Sequence, residues 1–296
     1  MNTRRICRIA AMVVSLAALV SAQDVTVAAA ADLQSAMQEI GARFQKETGK
    51  TVKVIYGSSG NFLQQIQNGA PFDMFFSANL DYPRKLEAGG LTEAGTFYQY
   101  ATGKIVVWVP NDSKLDISSG LPSLVSPAVK KVAIANPLHA PYGQAAVAAM
   151  KSENVYEKLT DKFVMGENIS QTASFALSGS VDAGIVALSL ALSPNLKDKG
   201  RFTEIPVKDY PPIEQACVIL KSSQHKDAAK ALERVRVLMT ASQIERAKAK
   251  ALDRALRPIT MRSRSEPSHL ERCPLLNLTT ARREQKSTCA SVGCNP

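Results

Sequence analysis

Residues 52–66 read Val52-Lys53-Val54-Ile55-Tyr56-Gly57-Ser58-Ser59-Gly60-Asn61-Phe62-Leu63-Gln64-Gln65-Ile66. An alternating apolar run, a small-residue loop and an amphipathic run predict a strand, a loop and a helix start. Gly57 and Gly60 let the backbone approach a bound group closely, and Ser58 and Ser59 offer neutral hydroxyl donors. Because the first turn of a helix leaves backbone N–H groups without partners, this loop predicts a site for a small anion.

The same strand–loop–helix unit recurs in two regions of the chain. A buried strand is predicted at residues 24–30, followed by strands at 52–56 and 74–78 in the first region and at 132–135, 162–165 and 183–187 in the second. An apolar strand at 105–109 is interpreted as the crossing from the first region to the second, and 211–220 as the return. In open α/β sheets ligands lie beyond the carboxyl ends of the strands, so the loops there are the expected binding surface.

This pattern predicts an α/β fold with two lobes and a ligand cleft between them. Lobe one comprises residues 24–105 plus 213–256, and lobe two comprises residues 106–212. An amphipathic helix or helix pair at 227–251 is expected to pack on lobe one.

The first 22 residues have the pattern of a secretory signal peptide. Positive residues precede an apolar stretch at 9–20 that is too short to span a bilayer, and small residues precede a cleavage point ahead of Gln23. The alternative is a membrane anchor. With residues 1–22 removed, the protein is expected to be soluble and exported.

Residues 257–296 differ in character from the rest of the chain. They are rich in Arg, Ser, Thr and Cys without sustained periodicity, which predicts a disordered tail; the alternative is a frameshift or misplaced stop near residue 256. The tail cysteines show neither disulfide-framework nor zinc spacing, so their disulfide state stays open; they are Cys273, Cys289 and Cys294. Cys217 lies in an apolar run and is predicted to be a buried free thiol.

The net charge of +10 is unevenly distributed. Residues 1–22 carry a net charge of +3, and the last 38 residues carry another +3 from six Lys/Arg against three Asp/Glu. The residues between them therefore carry only +4. That balance suits an anionic ligand, but the dense basic stripe of a nucleic-acid-binding protein is missing from the sequence.

Enzyme signatures are scarce in the sequence. There is no Gly-x-Ser-x-Gly, His-Glu-x-x-His or Walker motif, and His139 is interpreted as a hydrogen-bonding loop residue. A nucleophilic Ser58 or Ser59 would need a base and an orienting acid, and no candidate pair is evident. We therefore expect no catalytic residue and no cofactor, with a serine hydrolase as the alternative of a different class.

An anion binder requires only hydroxyl and backbone N–H donors, which four loops supply. A buried dianion must be matched by hydrogen bonds, and helix starts add a favourable dipole. The four loops begin helices after strands in both lobes and lie at Ala31–Gln34, Gly57–Asn61, Asn136–Gly143 and Glu167–Gln171.

Six motifs in this order closely resemble the molybdate-binding periplasmic proteins of ABC importers, over roughly residues 24–256. The motifs are Ala29-Ala30-Ala31-Asp32-Leu33, Gly57-Ser58-Ser59-Gly60-Asn61, Gly69-Ala70-Pro71-Phe72-Asp73, Asn136-Pro137-Leu138-His139-Ala140-Pro141-Tyr142-Gly143, Gly166-Glu167-Asn168-Ile169 and Gly184-Ile185-Val186-Ala187. The resemblance implies a type II periplasmic-binding fold, each lobe a mixed sheet flanked by helices. The lobes would close on a tetrahedral oxyanion.

The resemblance also implies which residues bind the oxyanion. Ser59 would donate through its hydroxyl and amide, and Tyr142 and Ile169 through their backbone N–H groups, so the side chains of the last two would be loosely constrained. Molybdenum would be present only within the oxyanion, which these residues contact.

Two positions depart from the family pattern. Asp32 stands where many members have serine, and a carboxylate about 5 Å from a dianion would cost several kcal/mol at an effective dielectric near 20. We expect Asp32 to turn away and cap its own helix; the alternatives are a protonated carboxyl group or direct coordination of the metal. Ala187 stands where some members have tyrosine, so that hydroxyl contact is absent or comes from elsewhere.

The predicted function is capture of molybdate, and of tungstate, in the periplasm and delivery to an inner-membrane ABC permease. A binder of sulfate or another tetrahedral oxyanion is the nearest alternative. A monomer with no nucleic-acid partner is expected.

Overall fold

The computed structural model describes residues 25–237 of the 296-residue chain. Its strands, in chain order, are β1 (Val25–Ala30), β2 (Val52–Gly57), β3 (Met74–Ser77), β4 (Tyr98–Gly103), β5 (Ile105–Pro110), β6 (Val132–Ala135), β7 (Phe163–Gly166), β8 (Ala183–Ala187), β9 (Gly200–Glu204) and β10 (Ile213–Ile219).

The helices alternate with the strands for most of this length. They are α1 (Gln34–Thr48), α2 (Ser59–Gln67), α3 (Asp81–Ala88), α4 (Pro141–Ser152), α5 (Tyr156–Leu159), α6 (Ile169–Leu177), α7 (Leu188–Ala191) and α8 (226–237). A short 3₁₀ turn, Ala31–Leu33, joins β1 to α1. α1 ends at Thr48, and the positive φ of 71° at Gly49 suits a left-handed C-cap.

The first sheet has the strand order β2-β1-β3-β10-β4. β1 is parallel to β2 and β3, whereas β10 is antiparallel to β3 and β4. Successive residues of β1 face opposite sides, as a strand requires. Val27 packs with Phe44 of α1 and Leu232 of α8, and Ala28 packs with Phe62 of α2. This sheet with its helices is lobe one.

The second sheet has the order β7-β6-β8-β5-β9. β6 is parallel to β7 and β8, and β5 is antiparallel to β8 and β9. Its core includes the fully buried Trp108 of β5 and residues of α4 and α6. This sheet with its helices is lobe two. The predicted α/β fold, with two mixed sheets flanked by helices in two lobes, is confirmed.

One prediction about the strands is incomplete. Residues 98–110 contain two strands rather than one: β4 belongs to the first sheet and β5 to the second, and only Lys104 separates them. β4 is an edge strand whose residues are exposed or half-buried, so it lacks the apolar run that marks β5. The predicted return to lobe one is confirmed, because β10 lies between β3 and β4.

Some predictions fall outside the described residues. These are the signal peptide at 1–22, the tail at 257–296 with its three cysteines, and the part of the predicted 227–251 helix beyond residue 237. Cys217 is a buried free thiol as predicted, and burial raises its pKa to about 12. Within residues 25–237, every helix is too short or too polar to cross a membrane.

Candidate functional site

A small cavity lies between the two lobes where three helices begin. Its volume is about 10 Å³, which is room for roughly one water molecule. It is lined by Ala30, Ala31, Asp32, Gly57, Ser58, Ser59, Ala78, Ala140, Pro141, Tyr142, Asn168 and Ile169. The structure thus brings all four predicted loops together. The cavity must open to admit even a compact ion.

The helix starts around the cavity give it a positive electrostatic character. Lobe one contributes the start of α2 at Ser59, and lobe two contributes the starts of α4 at Pro141 and α6 at Ile169. Each first turn carries backbone N–H groups that its own helix does not use, and each helix dipole favours an anion there. The arrangement can hold an anion without a fixed counter-charge.

Ser59 is the buried hydroxyl of the lobe-one loop. It is 1% exposed, and its Oγ accepts the backbone N–H of Ala78 at 3.0 Å. Because that bond uses a lone pair, the hydroxyl hydrogen of Ser59 is left for another acceptor. The neighbouring Ser58 instead donates its hydroxyl hydrogen to the backbone carbonyl of His139.

Ile169 begins α6 directly after a capping residue. The Oδ1 of Asn168 accepts the N–H groups of Ser170 and Gln171, both at 3.0 Å. The cap therefore provides an acceptor for the second and third N–H groups of α6. It does not provide one for the first N–H group, which is that of Ile169. Ile169 is buried at the cavity wall.

Asp32 does not cap its helix, so that prediction is wrong. Neither end of the 3₁₀ turn nor the start of α1 has a side-chain cap. The Oδ2 of Asp32 instead accepts the hydroxyl of Tyr142 at 2.9 Å and the Nε2 of Gln215 at 2.8 Å. The carboxyl group does turn to protein donors, but these come from lobe two and from β10.

The same network corrects the prediction for Tyr142. Its backbone N–H lies in the first turn of α4, but its side chain is not loosely constrained. The Tyr142 hydroxyl bridges the lobes to Asp32 and accepts the Nε2 of Gln215 at 2.8 Å. A Cβ on Gly103 would lie 2.5 Å from this hydroxyl, so the phenol occupies a close-fitting position.

Burial controls the protonation of this network. Burial raises the pKa of Asp32, and the hydrogen bonds from Gln215 and Tyr142 and the nearby N–H of Asp32 itself lower it in part. Burial also holds the pKa of Tyr142 and Tyr100 well above the usual value, and the charge of Asp32 adds to this. Both phenols therefore stay neutral donors at physiological pH.

Two polar residues in this region, Gln215 and Ser189, lie outside the six sequence motifs. Gln215 lies in the middle of β10, and the hydroxyl of Ser189 in α7 donates to the backbone carbonyl of Asp32 at 3.2 Å. Ala187, at the end of β8, is fully buried and has no hydroxyl. The only sequence signal for Gln215 is a polar residue directly before the apolar run 216–219 of β10, which is typical of a buried polar contact.

A second group of polar contacts crosses the cleft at its other edge. His139 of lobe two places Nδ1 2.9 Å from the Ser58 Oγ, and its carbonyl accepts the Gly60 N–H at 2.9 Å. Its Nε2 lies 3.6 Å from Glu167, which also accepts the side-chain amide of Asn61. His139 is therefore a hydrogen-bonding loop residue, as predicted.

This cluster also corrects the expectation that no base lies near the serines. Ser58, His139 and Glu167 contact one another in that order. The hydroxyl hydrogen of Ser58, however, is directed at a backbone carbonyl rather than at the imidazole. Within residues 25–237, no three His, Cys, Asp or Glu side chains gather in a way that could hold a metal ion.

Comparisons with known proteins agree with this geometry. The family model for bacterial extracellular solute-binding proteins matches residues 25–235. The molybdate-binding protein ModA of Rhodobacter capsulatus is 38% identical over 221 residues, which are 75% of this chain and 85% of that protein. The ModA of Azotobacter vinelandii is 38% identical over 217 residues, 73% and 85% of the two chains.

A solved structure extends the likeness to three dimensions. The periplasmic molybdate-binding protein of Azotobacter vinelandii superposes with a TM-score of 0.67 at 32% identity, covering 72% of this chain and 92% of that one.

Proposed function

Because the chain belongs to the family of bacterial extracellular solute-binding proteins, we propose that it captures molybdate, and also tungstate, in the periplasm. It delivers the oxyanion to the membrane permease of an ABC importer. The observation that carries this proposal is the convergence of three helix starts, from both lobes, on one small cavity. The molybdate-binding relatives supply the identity of the ligand.

The donors fit a small tetrahedral dianion. Ser59 offers its hydroxyl hydrogen, and Tyr142 and Ile169 offer backbone N–H groups from the first turns of α4 and α6. Hydrogen bonds from neutral groups offset the loss of hydration that a buried dianion suffers. The contacts are to the oxygen atoms of the ligand, and Asp32 is the fourth residue at the site.

Binding is a closure of the two lobes rather than a chemical reaction. The chain passes between the sheets at Lys104 and again between β9 and β10, and these connections are where a hinge would act. Closure brings α2 of lobe one against α4 and α6 of lobe two, so the ligand is enclosed by donors from both sides. The protein acts as a monomer and needs no cofactor.

A serine hydrolase is the second candidate, which the Ser58–His139 contact favours. Two features count against it. The Ser58 hydroxyl hydrogen is directed at a backbone carbonyl, so the imidazole is not positioned to remove it. The serines also lie in Gly57-Ser58-Ser59-Gly60, which is not a Gly-x-Ser-x-Gly nucleophile motif.

Isothermal titration of the protein with sodium molybdate, tungstate, sulfate and phosphate tests the proposal. Molybdate and tungstate are expected to bind at one site, and sulfate and phosphate far more weakly. If sulfate bound as tightly as molybdate, the protein would be a binder of tetrahedral oxyanions in general rather than of molybdate. Ester hydrolysis that disappears in Ser58→Ala would favour the enzyme instead.

A further inference from the structure

Asp32 has one oxygen atom whose hydrogen-bonding capacity is unused. Its Oδ2 is saturated by the Tyr142 hydroxyl and the Gln215 amide. Its Oδ1 is fully buried and has no hydrogen-bond partner among the described residues. Asp32 is 5% exposed and is one of the residues that line the cavity. A buried polar atom without a partner is uncommon in a native fold and calls for a specific explanation.

An ionised carboxylate at this position would oppose the ligand. Its charge would repel a dianion across a short, poorly solvated distance. The ionisable side chains nearest the carboxyl group are those of Tyr100 and Tyr142. His139, which is paired with Glu167, contacts Ser58 in the cavity lining. α6 and α7, which pack against the 3₁₀ turn, contain only neutral side chains.

We propose that Asp32 is a specificity-determining residue that donates a hydrogen bond from a protonated Oδ1 to the bound oxyanion, so that one proton enters the site with the ligand. This inference rests on the proposed function. Because Oδ2 already accepts two hydrogen bonds, the proton belongs on Oδ1, where it fills the unused bonding position. The site then holds a dianion and a neutral acid, or equally a monoprotonated oxyanion and a carboxylate.

The proton also bears on which oxyanion is selected. A shared proton is held more strongly by a more basic oxygen atom, and molybdate and tungstate are anions of weaker acids than sulfuric acid. Asp32 therefore favours them over sulfate by hydrogen-bond strength rather than by size. A serine at this position would donate to each of these anions without taking up a proton.

The sign of the pH dependence follows from the two states of the cleft. In the open form Asp32 loses the hydrogen bond from Tyr142, which belongs to the other lobe, and its carboxyl group is exposed to water. Closure buries the carboxyl group, and burial raises its pKa. A group with a raised pKa in the closed form favours closure at low pH and opposes it as pH rises between the open and closed values. If binding takes up one full proton, Kd rises tenfold for each unit by which the pH rises.

Calorimetric titration of the native chain with sodium molybdate at about pH 6.5, 7.5 and 8.5 tests the inference, in buffers of different ionisation enthalpy. Uptake of up to one proton per molybdate is expected, and Kd is expected to rise with pH by at most tenfold per pH unit. Asp32→Asn keeps an acceptor for Tyr142 and presents an amide donor. It is expected to take up no proton, to lose the pH slope and to bind more tightly than the native chain at the highest pH.

Two further variants keep the result unambiguous. Asp112→Asn removes the same charge from an exposed position and is expected to keep the native slope. Asp32→Ser replaces the asparagine variant if that one does not fold, with the same expected loss of slope. Binding of molybdate by the native chain without proton uptake, or an unchanged slope in the Asp32 variants, would overturn the inference alone. A native chain that binds none of the four oxyanions would overturn the proposed function as well.

Discussion

Gly60→Ala separates closure of the lobes from folding of either lobe. Gly60 is the second residue of α2, and its N–H donates to the His139 carbonyl across the cleft at 2.9 Å. A Cβ at Gly60 would lie 2.7 Å from that carbonyl oxygen, 3.0 Å from the His139 Cα and 3.1 Å from its Cβ. The first two of these atoms are backbone, so the contact cannot be relieved by a side-chain rotation. The lobes must instead stop short of full closure.

The expected magnitude follows from this contact. Overpacking by a methyl group costs about 1–3 kcal/mol, and a central value of about 2 kcal/mol corresponds to a roughly 30-fold weaker Kd for molybdate. In the open form the added methyl group meets no lobe-two atom. There the change from glycine to alanine within a helix adds about 0.5–1 kcal/mol of stability.

Gly41→Ala is the matched control, because Gly41 lies in α1 and a Cβ there meets nothing within 4 Å. Titration calorimetry with molybdate and urea unfolding of the ligand-free proteins give the two readouts. Both variants are expected to unfold at slightly higher urea than the native chain, and only Gly60→Ala is expected to lose affinity. If Gly60→Ala binds molybdate within about twofold of Gly41→Ala, the closure argument is wrong.

Three other substitutions grade the remaining contacts by their effect on the Kd for molybdate in the same calorimetric assay. Ser59→Ala removes a hydroxyl donor to a charged ligand, and a loss of about 2 kcal/mol, or roughly 30-fold, is expected; an unchanged Kd would remove Ser59 from the site. Tyr142→Phe keeps the backbone N–H but deletes the hydrogen bond to Asp32, so about tenfold weaker binding is expected, with Tyr156→Phe on the same lobe as the control. Equal affinity of these two phenylalanine variants would show that the bridge does not hold the lobes closed. Glu167→Ala removes a carboxylate whose side chain is 57% exposed, so the loss is expected to stay below about 1 kcal/mol and to shrink with added salt; a loss above tenfold would refute this weak role.

The fold could be predicted from sequence wherever burial of one face gives apolar residues the regular spacing of a strand or a helix. The run Val52–Tyr56 and the helical spacing of Met37, Ile40 and Phe44 each place one face toward a core, and the structure has β2 and α1 there. β4 could not be predicted in the same way, because most of its residues are exposed and its place is fixed by pairing with β10. Pairing between distant strands leaves little trace in local periodicity.

The site shows the same division between local and long-range information. Helix starts after strands predict which loops approach the cleft, and all four loops line the cavity. Local sequence could not predict which partner Asp32 would take. Its donors, Tyr142 and Gln215, are 110 and 183 residues away along the chain. From the neighbouring residues alone, a helix cap is the expected role of the carboxyl group. Its actual donors approach it only when the chain folds and the lobes close.

A crystal structure of the native protein grown with sodium molybdate, with an anomalous difference map for molybdenum, tests the central claim most directly. One strong peak is expected in the cavity between the lobes. The oxygen atoms around it should lie within hydrogen-bond distance of the Ser59 hydroxyl and of the backbone nitrogens of Tyr142 and Ile169. A peak elsewhere on the protein, or a closed cavity that stays free of molybdenum at saturating ligand, would contradict it.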